Sequence, residues 1–542
     1  MSSSILNRDL WRRHCLAFVT LIAVAWAVAV APAHGQRTPS PNGHAATPAV
    51  TSGDQRYTEA WVLDAIRPEL RDQIVAQMPE DLSSYRMDIT LEPQGEAGDV
   101  PSITGHLALS YTNTTGAALD SLPFRLYANG PDAERDAQIV SDVTVDGSDV
   151  EPALSESDSV LEVPFAEPLA TGASAEIEMD FAAFLPIDSV EHYGIFGYNS
   201  ATGTWALAHW YPVIAGRDPS TGWMLDHPSR NGDPIFTDTA LYDVTIESAP
   251  DWVLATTGVE HGDTAEGNGT VSRRFVSGPV RDFTIIADQD LEVVTEERNG
   301  ITVNSWYNPG QERTALAVAE YAANSVTMFD ELISPYPYRE IDLAPVDMKG
   351  AAGCEFPQLI YLALSYYDAD EDLTVPNSLD FTVAHEVVHQ WFYGLVGSNQ
   401  YAHAYIDEGL TNFLSAQVYF ERQYGPEAAA LVMDRYIRTP FERGVADNRD
   451  QIVDQPTDEF PSGRDYVYAA YSKSPLGFAA IWEEIGDEAF FTALTTYVDE
   501  FIFRVAEPAD LLAAFETASG EDLDELWSHW FEEADGAEDV AP

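Results

Sequence analysis

Two hydrophobic periods divide the chain. From about residue 84 to 308, apolar and polar positions alternate, as at 86–91, 103–111, 175–181, 242–246 and 283–287. Successive strand side chains point to opposite faces, so this alternation predicts sheets with one packed and one solvated face. Turn-forming clusters such as Asn129-Gly130-Pro131, Asp146-Gly147 and Asn231-Gly232-Asp233 separate the runs. The expectation for residues 56–308 is an amino-terminal antiparallel β domain.

After about residue 309 the spacing becomes helical. Between 311 and 333, Leu316, Val318, Tyr321, Ala322, Val326, Phe329 and Leu332 recur at helical intervals. Similar stretches follow at 378–394, 408–423, 426–438, 468–485, 487–503, 507–518 and 521–531, with one strand-like run at 358–364. A mixed, mostly helical domain is expected over 309–542, giving an α+β multidomain chain. No repeat of solenoid period is present.

Composition narrows the class. The 542 residues are 45% hydrophobic and 11% aromatic, enough for a sizeable core, which excludes a disordered chain despite a net charge of −62. With 89 acidic and 27 basic residues there is no basic footprint for nucleic acid or for an anionic membrane surface. Lys349 and Lys473 are the only lysines. A carboxylate-rich, lysine-poor surface suits concentrated salt, where the Debye length falls to about 3 Å near 1 M and self-repulsion is screened. The composition therefore predicts a protein from a high-salt habitat.

Residues 1–35 read as an export signal. Arg8, Arg12 and Arg13 precede an apolar run from Cys15 to Ala31, and small residues around Ala31 and Ala33 suit a signal peptidase. A periplasmic or extracellular location is expected, with no stable membrane contact after cleavage; an uncleaved amino-terminal anchor is the alternative. Cleavage removes Cys15 and leaves Cys354 without an intramolecular disulfide partner. Residues 36–55, rich in Pro, Ser, Thr, Gly and Ala, read as a flexible linker.

The chemistry is concentrated in His385-Glu386-Val387-Val388-His389. On a helix, positions i and i+4 share a face, so both imidazoles can bind one zinc ion while Glu386 borders it. Catalytic zinc takes three protein ligands and keeps one position open. A metzincin would carry glycine at 392 and histidine at 395; Phe392 and Leu395 stand there instead. His403 and Glu408 are the candidates for third ligand. Glu408 follows His389 after eighteen intervening residues and heads a second helical stretch.

This triad and spacing resemble the M1 family of zinc aminopeptidases, gluzincins with a thermolysin-like catalytic domain. The likeness extends to His389-Gln390-Trp391-Phe392, to Gly353-Cys354-Glu355-Phe356 at the place of the family's glycine-rich exopeptidase motif, and to Tyr471-Ser472-Lys473. Trp210-Tyr211-Pro212 and the stretch 226–243 resemble the family's amino-terminal domain. The resemblance implies one Zn2+ per chain held by His385, His389 and Glu408. It implies that Glu386 is the general base toward a zinc-activated water and that Tyr471 steadies the developing oxyanion. It further implies that Glu355 anchors the cationic amine of peptides with a free amino terminus, aligned by backbone near Ala352 and Gly353. Asn412, one turn after Glu408, is a candidate for orienting a ligand.

Three departures stand out. Cys354 and Phe356 replace the family's usual Met and Asn, and Ser474 replaces glycine after Lys473. The sequence ends soon after the catalytic helices, from which a more open cleft is expected. Two other readings compete with an exported aminopeptidase: a zinc endopeptidase on the same scaffold, and an inactive peptide-binding relative.

Overall fold

The structure is a computed structural model that describes residues 60–540, apart from 94–99, 131–136, 157, 190, 226–228, 230, 233–235, 263–264, 268 and 369–371. The expected signal at 1–35 and linker at 36–55 lie outside the described residues.

Alternation becomes burial in the strand Ser174–Phe184. Ala175, Ile177, Met179 and Phe181 are buried, whereas Glu176, Glu178 and Asp180 face water. That strand lies in a nine-stranded sheet with Ser83–Glu92, Ser102–Thr112, Ala240–Ser248 and Thr270–Val280. The sheet is mixed rather than wholly antiparallel, because Ser83–Glu92 runs parallel to Ala240–Ser248. A long excursion between those two strands lets the second return in the same direction. Inside, Tyr85 stacks on Tyr242 with ring centroids 4.9 Å apart, and Tyr211 meets both edge-on. Two four-stranded sheets and a two-stranded pair, Arg217–Asp218 with Gly222–Trp223, add to this β-rich half.

A five-stranded sheet of Glu292–Arg298, Ile301–Tyr307, Glu340–Val346, Leu359–Ala363 and the short edge Gly353–Cys354 spans position 308. Helix Glu312–Leu332 turns Ala315, Val318, Ala322, Val326 and Phe329 inward, while Leu316 faces solvent. Beyond that sheet helices predominate to the last turns, with Gly463 to Phe501 kinked at Gly486. The α+β expectation of a β-rich half followed by a mostly helical half holds in this structure.

Among the described residues, no helix is long and apolar enough to cross a membrane.

Candidate active site

Helix Ser378–Val388 carries the first two candidate ligands. Asn377 caps it by accepting the backbone N–H of Asp380 at 2.9 Å. The apolar residues Leu379, Val383, Ala384, Val387 and Val388 bury the helix, so His385 and His389 emerge inside the protein. The helix stops at His389, short of the expected 394. The reason is local: Phe392 turns its carbonyl back to accept His389 Nδ1–H at 3.0 Å, and Tyr393 takes a φ of 122°. This bond fixes the tautomer that leaves the His389 Nε2 lone pair facing the site.

Glu408 is the first residue of helix Glu408–Phe413, and Asp407 accepts its N–H at 2.8 Å. His385 Nε2 lies 3.2 Å from Glu408 Oε2, His389 Nε2 3.4 Å from the same oxygen, and the two Nε2 atoms are 3.1 Å apart. Zinc bound at about 2.0–2.1 Å in a tetrahedron spaces its N and O ligands about 3.3 Å apart, so the triangle fits the ion. The donor set, two imidazole nitrogens and one carboxylate oxygen, is that of catalytic zinc. His403 is not in the triangle; its Nδ1 pairs with Asp454 Oδ1 at 2.5 Å.

The electrostatics follow from enclosure. Burial pushes His385 toward the neutral form. Burial also opposes ionisation of Glu408, but hydrogen bonds with the two imidazoles outweigh it and hold this carboxyl below its ordinary range. Burial and the neighbouring Glu355 charge raise Glu386 well above a normal carboxylate. Asp407 is pushed up to about 8 by burial and the adjacent Glu408.

Glu386 lies against Gly353 so closely that any Cβ at 353 would overlap its carboxylate. Gly353 pairs with Leu362 at the edge of the five-stranded sheet. Ala352, expected to align substrate, already gives its carbonyl to Ala363 N–H at 2.9 Å. Backbone groups alternate sides along a strand, so those of Gly353 point toward the free edge.

Glu355 follows directly and is buried, with Gln400 Nε2 donating to its Oε1 at 3.4 Å. Gln390, next to His389, donates to the carbonyls of Glu355 and Phe356, each at 3.3 Å, and accepts Gln358 N–H at 2.9 Å. One side chain thus ties the Glu355 segment to the histidine helix. Phe356 packs edge-on against Tyr361 and His209.

Tyr471 donates its hydroxyl to Glu408 Oε1, and its ring lies 6.1 Å from that of His385. Asn412 orients neither histidine; its Nδ2 donates to the Tyr471 carbonyl at 2.7 Å. Lys473 points away from the site, where its buried ammonium meets Asp450 Oδ1 and the carbonyls of Gln451 and Glu533. The Phe392 carbonyl and the Asp407 cap were not anticipated, since a backbone acceptor leaves no residue-type signal. Asp407 beside Glu408 was readable as a helix cap.

His385, His389 and Glu408 thus make a candidate zinc centre. Residues 319–530 match the family model described as "Peptidase family M1 domain". "Aminopeptidase M1-C" of Oryza sativa subsp. japonica is 25% identical over 256 residues, covering 44% of this chain and 27% of that protein. The "Alanine/arginine aminopeptidase" of Saccharomyces cerevisiae is 26% identical over 255 residues, covering 44% of this chain and 29% of that protein. The match therefore spans less than a third of either relative. Among solved structures, a mutant M1 zinc metallopeptidase from Deinococcus radiodurans, bound to a Tyr-Ser-Ala substrate, has a TM-score of 0.61 at 18% identity. It covers 85% of this chain and 95% of its own, and shares the fold.

Proposed function

We propose that this chain is an exported zinc aminopeptidase that removes amino-terminal residues from peptides. His385, His389 and Glu408 would hold the zinc ion, which when bound supplies Lewis acidity to the attacking water and the scissile carbonyl. Glu386 is the general base: its carboxylate takes the proton of the attacking water and passes it to the leaving nitrogen. Gly353 leaves room for that carboxylate and presents backbone groups to the peptide at the sheet edge. Tyr471 donates a hydrogen bond from its hydroxyl to the developing oxyanion. Residues 1–35 direct export.

One observation carries the aminopeptidase reading. Glu355 is buried, and no arginine or lysine pairs with it among the described residues. Burying a carboxylate is costly unless a charge answers it, and the ammonium of a free amino terminus supplies that charge. The test compares an amino-acid amide with its N-acetyl derivative. The wild type should cleave only the first, and Glu355→Ala should lower its kcat/KM by about tenfold to a hundredfold. Equal cleavage of both substrates, or an unchanged rate in the variant, would point instead to an endopeptidase on this scaffold.

A further inference from the structure

Tyr471 sits on a wide helical turn, Ala469–Lys473, that closes with Ser474 N–H bonded to the Ala469 carbonyl, five residues back. Such π-turns are rare and gather at functional sites. The residue after Ser474 is Pro475, which has no N–H and whose ring crowds the carbonyl four positions earlier. That carbonyl belongs to Tyr471, and the one five positions earlier to Ala470. Pro475 gives neither a backbone donor, and side chains reach both. Ser474 Oγ donates to the Ala470 carbonyl at 2.6 Å, and Asn412 Nδ2 donates to the Tyr471 carbonyl at 2.7 Å.

Asn412 is buried on helix Glu408–Phe413, one turn beyond the candidate ligand Glu408. The two helices meet closely there, because a Cβ at Gly409 would overlap Ser474 Oγ. The Asn412 amide therefore links the backbone of Tyr471 to the helix that carries Glu408, while the Tyr471 hydroxyl reaches the Glu408 carboxylate. The phenol is held to one helix at both ends, across a turn that proline has loosened.

We propose that Asn412 is a positioning residue for Tyr471, standing in for the backbone donor that Pro475 removes and fixing the phenol relative to the metal ligands. This rests on the catalytic role proposed above for Tyr471. A donor displaced by a fraction of an ångström loses much of its effect on an oxyanion, whereas substrate binding at Glu355 is untouched.

The test measures kcat, KM and zinc content on an amino-acid amide for wild type, Tyr471→Phe, Asn412→Ala and the double variant. Asn412→Ala should lower kcat about tenfold or more, leave KM near the wild-type value and keep one zinc per chain. In the Tyr471→Phe background it should add no further loss, because a residue acting through the phenol has nothing left to position. A wild-type kcat for Asn412→Ala overturns the proposal, as does a loss that multiplies fully with that of Tyr471→Phe or one traced to lost zinc. A wild-type kcat for Tyr471→Phe overturns the underlying role of Tyr471 instead, so the two failures are distinguishable. Asn412→Leu, which keeps the volume and removes the donor, is judged by the same criteria if the alanine variant does not fold.

Discussion

Gly353 sets how near Glu386 can come to the sheet edge. A methyl group there must displace the carboxylate, since backbone on one side and a buried helix on the other leave little to yield. Gly353→Ala is expected to lower kcat about a hundredfold while zinc content stays at one per chain, read by steady-state kinetics and metal analysis. An unchanged kcat would show that Glu386 reaches its proton from another position. His385, Glu386 and His389 were legible in the sequence because helix geometry alone puts them on neighbouring faces. Glu355 was legible only by family likeness, since in so acidic a chain one glutamate carries no signal by itself. Its burial without a cationic side-chain partner is what distinguishes it from the solvated acids around it.

At the scale of elements, the histidine helix and the turn after it are held from the β-rich half. Arg281 donates to the carbonyls of Tyr393 at 2.5 Å and Thr237 at 2.9 Å, and Tyr393 donates its hydroxyl to Asp282 at 2.5 Å. Burial raises the Asp282 carboxyl from 3.8 to about 7; the Tyr393 bond works against this and the Glu355 charge adds to it. Between about pH 4 and 7 the folded chain therefore keeps a proton on Asp282 that the unfolded chain has released. Stability falls as pH rises through that window and is level above it, as far as this group is concerned. Asp282→Asn, which keeps an acceptor for Tyr393, should flatten the fall. It should raise stability at pH 8 by a few kcal/mol relative to wild type, measured from urea unfolding at pH 5 and 8 in constant salt. A variant that loses stability equally at both pH values would assign Asp282 a purely packing role.

Element types were legible from periodicity, and element ends were not. The helix expected over 378–394 stops at His389, and beyond it the Phe392 carbonyl turns back to accept from that ring. The π-turn at Ala469–Lys473 left a sequence trace, Pro475 inside a helical pattern, whose consequence becomes visible only with Asn412 beside it.

For the whole molecule, the carboxylate excess is the dominant property. Glu176, Glu178 and Asp180 on one strand show where it resides, on the solvated face of the sheet. Lys473 is buried among oxygen acceptors, and Lys349 pairs with Asp347 at 2.6 Å. With a net charge of −62, thermal stability should climb as KCl rises from 0.1 to about 2 M, as screening removes self-repulsion. A flat or falling Tm over that range would refute the high-salt reading.

The proposed mechanism has His385, His389 and Glu408 bind the ion while Glu386 moves the proton. It is tested most directly by measuring zinc content and hydrolysis of an amino-acid amide panel side by side for the wild type and Glu386→Gln. One zinc per chain is expected in both proteins, with turnover in the wild type and a loss of at least about a hundredfold in the variant. Turnover retained by Glu386→Gln, or a zinc-loaded wild type that hydrolyses nothing, would contradict it.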